Sequence, residues 1–107
     1  MAKDEIYKQH ILDSIVWVEK YTAGKELSDL ENDRMLQNEV IREIEIIGEA
    51  VKRLSQSYKD QINQPWKQIA GMRDKLIHDY FGVDLDAVWN VVKNDLPGLK
   101  TALLVDK

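Results

Sequence analysis

The stretch GMRDKLIHDYFGVD, Gly71 to Asp84, sets an arginine, a histidine and a tyrosine within eight residues of one another. Each side chain brings its own chemistry. Arg73 carries a permanent, fork-shaped charge that can hold an oxyanion through paired hydrogen bonds. His78, with an ordinary pKa of about 6.5, can take or give a proton near neutrality. Asp74 stands four residues before it, the spacing at which a helix brings two side chains together, so its carboxylate could orient the imidazole. Tyr80 adds a hydroxyl on an aromatic ring.

A helix through this stretch would turn about 100° per residue. Ile69, Met72, Leu76 and Tyr80 then share one face and form a core stripe. Arg73 lies at the edge of that stripe, nearly in line with Tyr80 two turns on, and His78 falls about 140° away. Between them Ile77 and Phe81 make a second, smaller apolar patch, of the kind that invites a partner surface. Two copies meeting there about a twofold axis would bring the Arg73 and His78 side chains of both chains into one cleft. The same spacing also suits an ordinary Asp74–His78 surface pair, a snorkelling Arg73 and a core Tyr80. Geometry alone leaves both readings open.

The elements that must position these residues are all helical in pattern. Ile6, Ile11, Ile15, Val18 and Tyr21 recur at near-helical steps over residues 4–23, and Gly24 offers a stop. Ser28-Asp-Leu-Glu31 has the form of a capping box and opens the longest predicted helix, which ends near Ser57. Its apolar seam is Val40, Ile44, Ile47, Val51, Leu54 and Tyr58. SYKDQINQP reads as a loop, and Pro65 suits the first position of a third helix running to about Phe81, with a possible break near Gly71. Gly82 ends it, Asp84 caps a fourth helix from Leu85 to about Asn94, and Pro97-Gly98 introduces a short last turn. The expectation is one all-α domain over residues 1–107, a bundle of four to five helices with no alternating strand pattern.

Totals narrow the classes of function. The 107 residues contain no cysteine, which removes thiolate nucleophiles and cysteine-based zinc sites. A net charge of −4 argues against a nonspecific nucleic-acid coat. It leaves room for a local cationic cleft drawn from Arg34, Arg42, Arg53, Lys67, Arg73 and Lys75. No phosphate-binding glycine loop, H-E-x-x-H or E-x-x-H motif is present. Glu43, Glu45 and Glu49 fit a solvated face paired with Lys52 and Arg53 better than a metal set, and His10 reads as a surface histidine. No cofactor, metal or membrane association is expected, and a cytoplasmic location is the default.

Arg73-Asp-Lys-Leu-Ile-His78-Asp-Tyr80 has the form R-x4-H-x-Y, and this resembles the signature of HEPN-domain proteins, specifically their HepT-like toxin branch. Glu45-Ile-Ile-Gly-Glu-Ala50, Pro65-Trp66, Ile69-Ala-Gly-Met-Arg73, Val88-Trp89 and Asp95-Leu96-Pro97 resemble that branch in order and spacing. Asp74 stands where relatives often carry Asn. The resemblance implies a homodimeric helical bundle joined through the motif region, in agreement with the Ile77 and Phe81 patch that periodicity suggests. It implies metal-independent endoribonuclease activity by Arg73 and His78, supported by Asp74. It also implies a minimal nucleotidyltransferase antitoxin that silences the toxin by transferring AMP to Tyr80. RNA supplies its own nucleophile, the 2′-OH, which suits a histidine acid–base and an arginine phosphate clamp. The second reading is a non-catalytic helical partner of a nucleotidyltransferase.

Overall fold

Gly24 adopts φ 71°, in the left-handed region that favours glycine, and it ends the first helix as the sequence predicts. The computed structural model describes residues 2–78 and 82–105, with Ala2, Lys75, Ile77 and His78 described by backbone alone. Helix α1 spans Ala2–Thr22, α2 Leu27–Glu31 and α3 Arg34–Arg53. The long helix therefore does not start at Ser28. Asp29 accepts the backbone N–H of Glu26 at 2.7 Å and opens only the short α2. The Asn32 side chain closes α2 by donating to the Ser28 carbonyl at 2.9 Å. Asp33 then caps α3, its carboxylate accepting from the Leu36 N–H at 3.1 Å.

The predicted end near Ser57 also moves. Ser55 starts a new helix, α4 (Gln56–Asp60), where a loop is expected. Its hydroxyl accepts from the Tyr58 N–H at 3.2 Å. The Ser55 N–H and hydroxyl in turn donate to the two carboxylate oxygens of Asp4, each at 2.7 Å. A single acidic residue at the start of α1 thus pins the junction of α3 and α4. The polar stretch that follows is gathered by Trp66, whose indole N–H lies 2.9 Å from the Lys59 carbonyl and 3.0 Å from that of Ile62.

Pro65 is the N-cap, not the first helical residue, of α5 (Trp66–Ala70). After the break at Gly71, α6 covers Met72–Leu76. There the predicted helix stops, five residues short of Phe81. Ile77–His78 forms β1 and Gly82–Val83 forms β2, paired antiparallel as Ile77 with Val83 and His78 with Gly82. Two β-branched residues meet in the ladder, Gly82 takes φ 84°, and the Asp84 N–H closes it on the Leu76 carbonyl at 2.9 Å. The expected placement of His78 on the far side of a helix therefore does not hold.

Asp84 caps α7 (Leu85–Asn90), accepting from the Ala87 N–H at 3.0 Å, as expected. The chain then runs without interruption through a π turn, Val91–Asp95, into α8 (Leu96–Val105), a longer helix than the predicted last turn. Pro97 explains the π turn. Its ring would crowd the Lys93 carbonyl of a regular α-helix and it has no N–H to offer that group. Widening the step to five residues, with the Leu96 N–H on the Val91 carbonyl, lets the helix continue.

The fold is all-α apart from the two-residue ladder. Ile11, Ile15 and Val18 of α1 join Val40, Ile44, Ile47 and Val51 of α3 in one buried cluster with Ile69, Met72, Leu76, Leu96, Leu99 and Leu103. Tyr21 packs against it partly buried, whereas Ile6, counted with the α1 stripe, faces solvent at 54% exposure. Lys100 ties α8 back to α1 through Glu19 at 2.9 Å. No helix among the described residues is long and apolar enough to cross a membrane.

Candidate functional site around Arg73

The place of Arg73 is decided by a glycine on another helix. At Gly48 a Cβ would lie 3.2 Å from the Ala70 carbonyl oxygen, so the absence of a side chain on α3 there lets α5 seat closely without a squeeze. With α5 held there, α6 follows at once and carries Arg73 to Glu45, three residues before Gly48. The Arg73 Nε donates to Glu45 Oε2 at 2.8 Å, and Nη1 lies 3.6 Å from Asp74 Oδ1. The guanidinium is thereby fixed along one edge. About half of the side chain stays open to solvent, at 49% exposure. Its remaining N–H groups face a shallow groove of about 290 Å³ lined by Glu45, Gly48, Glu49, Lys52, Arg73 and Asp74.

Glu45 is the residue of the candidate site that sequence reasoning paired differently. Spacing on α3 pairs it with Lys52 or Arg53, whereas its partner is 28 residues away. The only signal in the sequence is the E-I-I-G step, one turn between a carboxylate and a glycine. Glu43, assigned to the same solvated face, is buried at 8% exposure. Among the described residues no three acidic or histidine side chains gather into a metal site.

The other sequence-predicted residues fall as follows. Asp74 is exposed and faces Arg73, and the helix that was to carry it to His78 ends at Leu76. His78 instead enters on β1, two residues beyond the end of α6, so the arginine and the histidine come from adjoining elements. The His78 and Ile77 side chains, and all of Tyr80 and Phe81, lie outside the described residues. The expected dimer patch and the expected modified tyrosine lie there with them. His10 stands exposed on α1, edge-on to Tyr7 with ring centroids 5.7 Å apart, as a surface histidine should.

Comparison with known proteins gives the site its context. The family model described as Ribonuclease HepT-like matches residues 11–104. A protein of Methanocaldococcus jannaschii named "Gamma-glutamylcyclotransferase and putative RNase" is 51% identical over 106 residues, which cover 97% of this chain and 48% of that protein. A Thermococcus cleftensis protein named "Probable ribonuclease HepT" is 43% identical over 95 residues, covering 88% of this chain and 86% of the relative. The chain thus spans about half the length of the first and most of the second. No solved structure matches the chain significantly. A family match over nearly the whole chain, together with an R-x4-H-x-Y stretch whose arginine is held at the mouth of a groove, places the chain in the HepT-like ribonuclease family.

Proposed function

We propose that the chain is the ribonuclease toxin of a toxin–antitoxin pair, cutting RNA without a metal at a cleft to which two copies contribute. One observation carries this reading. Arg73 is clamped by Glu45 with about half of its side chain open to solvent, and the next element after its helix brings in His78. In the proposed reaction the Arg73 fork holds the scissile phosphate. His78 takes the proton of the adjacent 2′-OH, and the freed 2′-oxygen attacks phosphorus. The P–O5′ bond breaks as His78 of the second copy gives its proton to the departing oxygen. The products are a 2′,3′-cyclic phosphate and a free 5′-OH. Arg73 stabilises the charge that builds on the phosphoryl oxygens in between.

In the off state a minimal nucleotidyltransferase has transferred AMP from ATP to the Tyr80 hydroxyl, with release of pyrophosphate, which adds a bulky, negatively charged group to the motif. Asp74 assists through Arg73, the side chain it faces, and Ile77 and Phe81 are assigned to the dimer contact.

The test is cleavage of a labelled RNA by the purified full-length chain in EDTA. Cleavage with a cyclic phosphate end is expected, with a loss of about 10²–10⁴-fold in His78→Ala. Activity that disappears with EDTA, or that His78→Ala leaves unchanged, overturns the mechanism.

A further inference from the structure

A second concavity lies on the other side of α6. Arg73 and Asp74 line the groove described above, whereas Met72 and Leu76 of the same short helix form part of the wall of a larger pocket of about 450 Å³. That volume is in the range of small-molecule sites. The floor is apolar, made by Ile69, Met72, Leu76 and Val91. The rim is made of carboxamides, Gln64 and Gln68 on one side and Asn90 and Asn94 on the other, with the carboxylate of Asp95 beside them. No lysine or arginine lines it among the described residues.

This composition selects a ligand class. An apolar floor accepts the flat face of a ring. Carboxamides offer a donor and an acceptor side by side, the complement of a heterocycle edge. A carboxylate accepts N–H donors and repels carbonyl and phosphate oxygens. The Gln64 and Gln68 side chains make no hydrogen bond with any described residue, so their donors and acceptors are open to a ligand. Asn94 is held to Asn90 at 2.5 Å, which orients that pair.

The π turn puts the carboxylate in the wall. In a regular α-helix Asp95 would point about 140° away from Asn90. The five-residue step over Val91–Asp95 brings it back over Asn90, so that both face the pocket. Pro97, two residues on, is what enforces that step. One imino acid thus sets the chemistry of a pocket to which it contributes no side chain.

We propose that this pocket is a base subsite of the ribonuclease. It takes an unpaired nucleobase with an exocyclic amine on its pairing edge, adenine, cytosine or guanine, and disfavours uracil, whose edge sets keto oxygens on both sides of its one N–H. The inference rests on the ribonuclease reading for its role. The pocket's preference can nevertheless be read without catalysis. The amine donates to Asp95, the ring nitrogens pair with the carboxamides, and the ring lies on Met72 and Val91. The strand then crosses α6 to present a neighbouring phosphate to Arg73.

The experiment titrates the full chain with adenosine, cytidine, uridine and guanosine and follows the side-chain amide NMR signals of Gln64, Gln68, Asn90 and Asn94. Adenosine, cytidine and guanosine should shift these signals, uridine much less, and Asp95→Leu should remove the difference. Pro97→Ala, which lets the π turn relax, should weaken the preference with the pocket side chains all present. In sequence-resolved cleavage of a randomised RNA, the wild type should disfavour U at one fixed position near the cut by about tenfold. Asp95→Leu should lose that bias. Equal shifts by all four nucleosides, or none at millimolar concentration, overturn the subsite whatever the RNA assay gives. Nucleoside discrimination with no RNA cleavage would instead leave the subsite standing and overturn the ribonuclease mechanism.

Discussion

Arg73 and Glu45 are joined Nε to Oε2 at 2.8 Å across 28 residues of chain, and this contact orients the arginine of the candidate site. Both side chains are half exposed, so the pair adds at most about 1 kcal/mol to stability. Its role is positional. Glu45→Ala is expected to leave the melting temperature nearly unchanged while RNA cleavage falls about a hundredfold through misplacement of Arg73. Arg73→Ala should lose about 10²–10³-fold. Melting curves alongside kcat measurements separate the two effects, and a rise in cleavage by Glu45→Ala would make the carboxylate a restraint instead of a guide.

Gly48 should tolerate little. Alanine in a helix gains about 1 kcal/mol over glycine, and the squeeze against the Ala70 carbonyl at 3.2 Å takes back a similar amount. Gly48→Ala is therefore expected to melt close to the wild type but to cut RNA more slowly, because α5 and α6 must move away from Glu45. Gly48→Val should be destabilised by about 1–3 kcal/mol in chemical denaturation. An unchanged rate in Gly48→Ala would show that Arg73 does not depend on this approach.

Acid should release the latch between α1 and α4. The Ser55 N–H, and then its hydroxyl, hold the Asp4 carboxyl below its usual pKa of 3.8. A depressed folded pKa contributes stability that is present above the unfolded value and is lost as pH falls through the folded one. Asp4→Ala should accordingly melt well below the wild type at pH 7. The gap should narrow as the pH drops under about 4. A gap independent of pH would assign the effect to packing, not charge.

Tyr80 is tested by mass. Co-expressed with its cognate nucleotidyltransferase, the wild type should gain AMP units that map to Tyr80, and Tyr80→Phe should gain none and remain toxic. Full neutralisation of an unmodified wild-type chain would favour occlusion by the partner.

Much of the fold is legible in the sequence because burial imposes a period. Ile11, Ile15 and Val18, and Val40, Ile44, Ile47 and Val51, are where a 3.6-residue repeat puts them, and all are buried. Ile69, Met72 and Leu76 follow the same rule, while the helix beyond them does not continue. A ladder of two residues is too short to leave an alternating pattern. Ile77 and Val83 favour it only through their branched side chains and through Gly82 between them. The choice of Asp33 over Ser28 as cap of α3 turns on which short acceptor lies next to the first turn. The Arg73–Glu45 pair has no local signature beyond the E-I-I-G step on α3. It follows from how closely two helices can approach at Gly48, a tertiary quantity.

The bridge from Lys100 to Glu19 has a consequence for how the chain acquires its shape in time. It spans 81 residues, whereas α1 and α3 are joined by about a dozen. Closing the longer loop costs more entropy, though the cost grows only as the logarithm of length. Search time favours near neighbours, so we expect α1 and α3 to pair first and α8 to dock last, bringing Leu99 and Leu103 under cover. Pulse-labelled hydrogen exchange during refolding should protect the amides of α3 before those of α8, and the reverse order would put the nucleus at the C-terminal rod. Until α8 docks, the face of α1 that it covers is open to chaperones and to a second nascent chain.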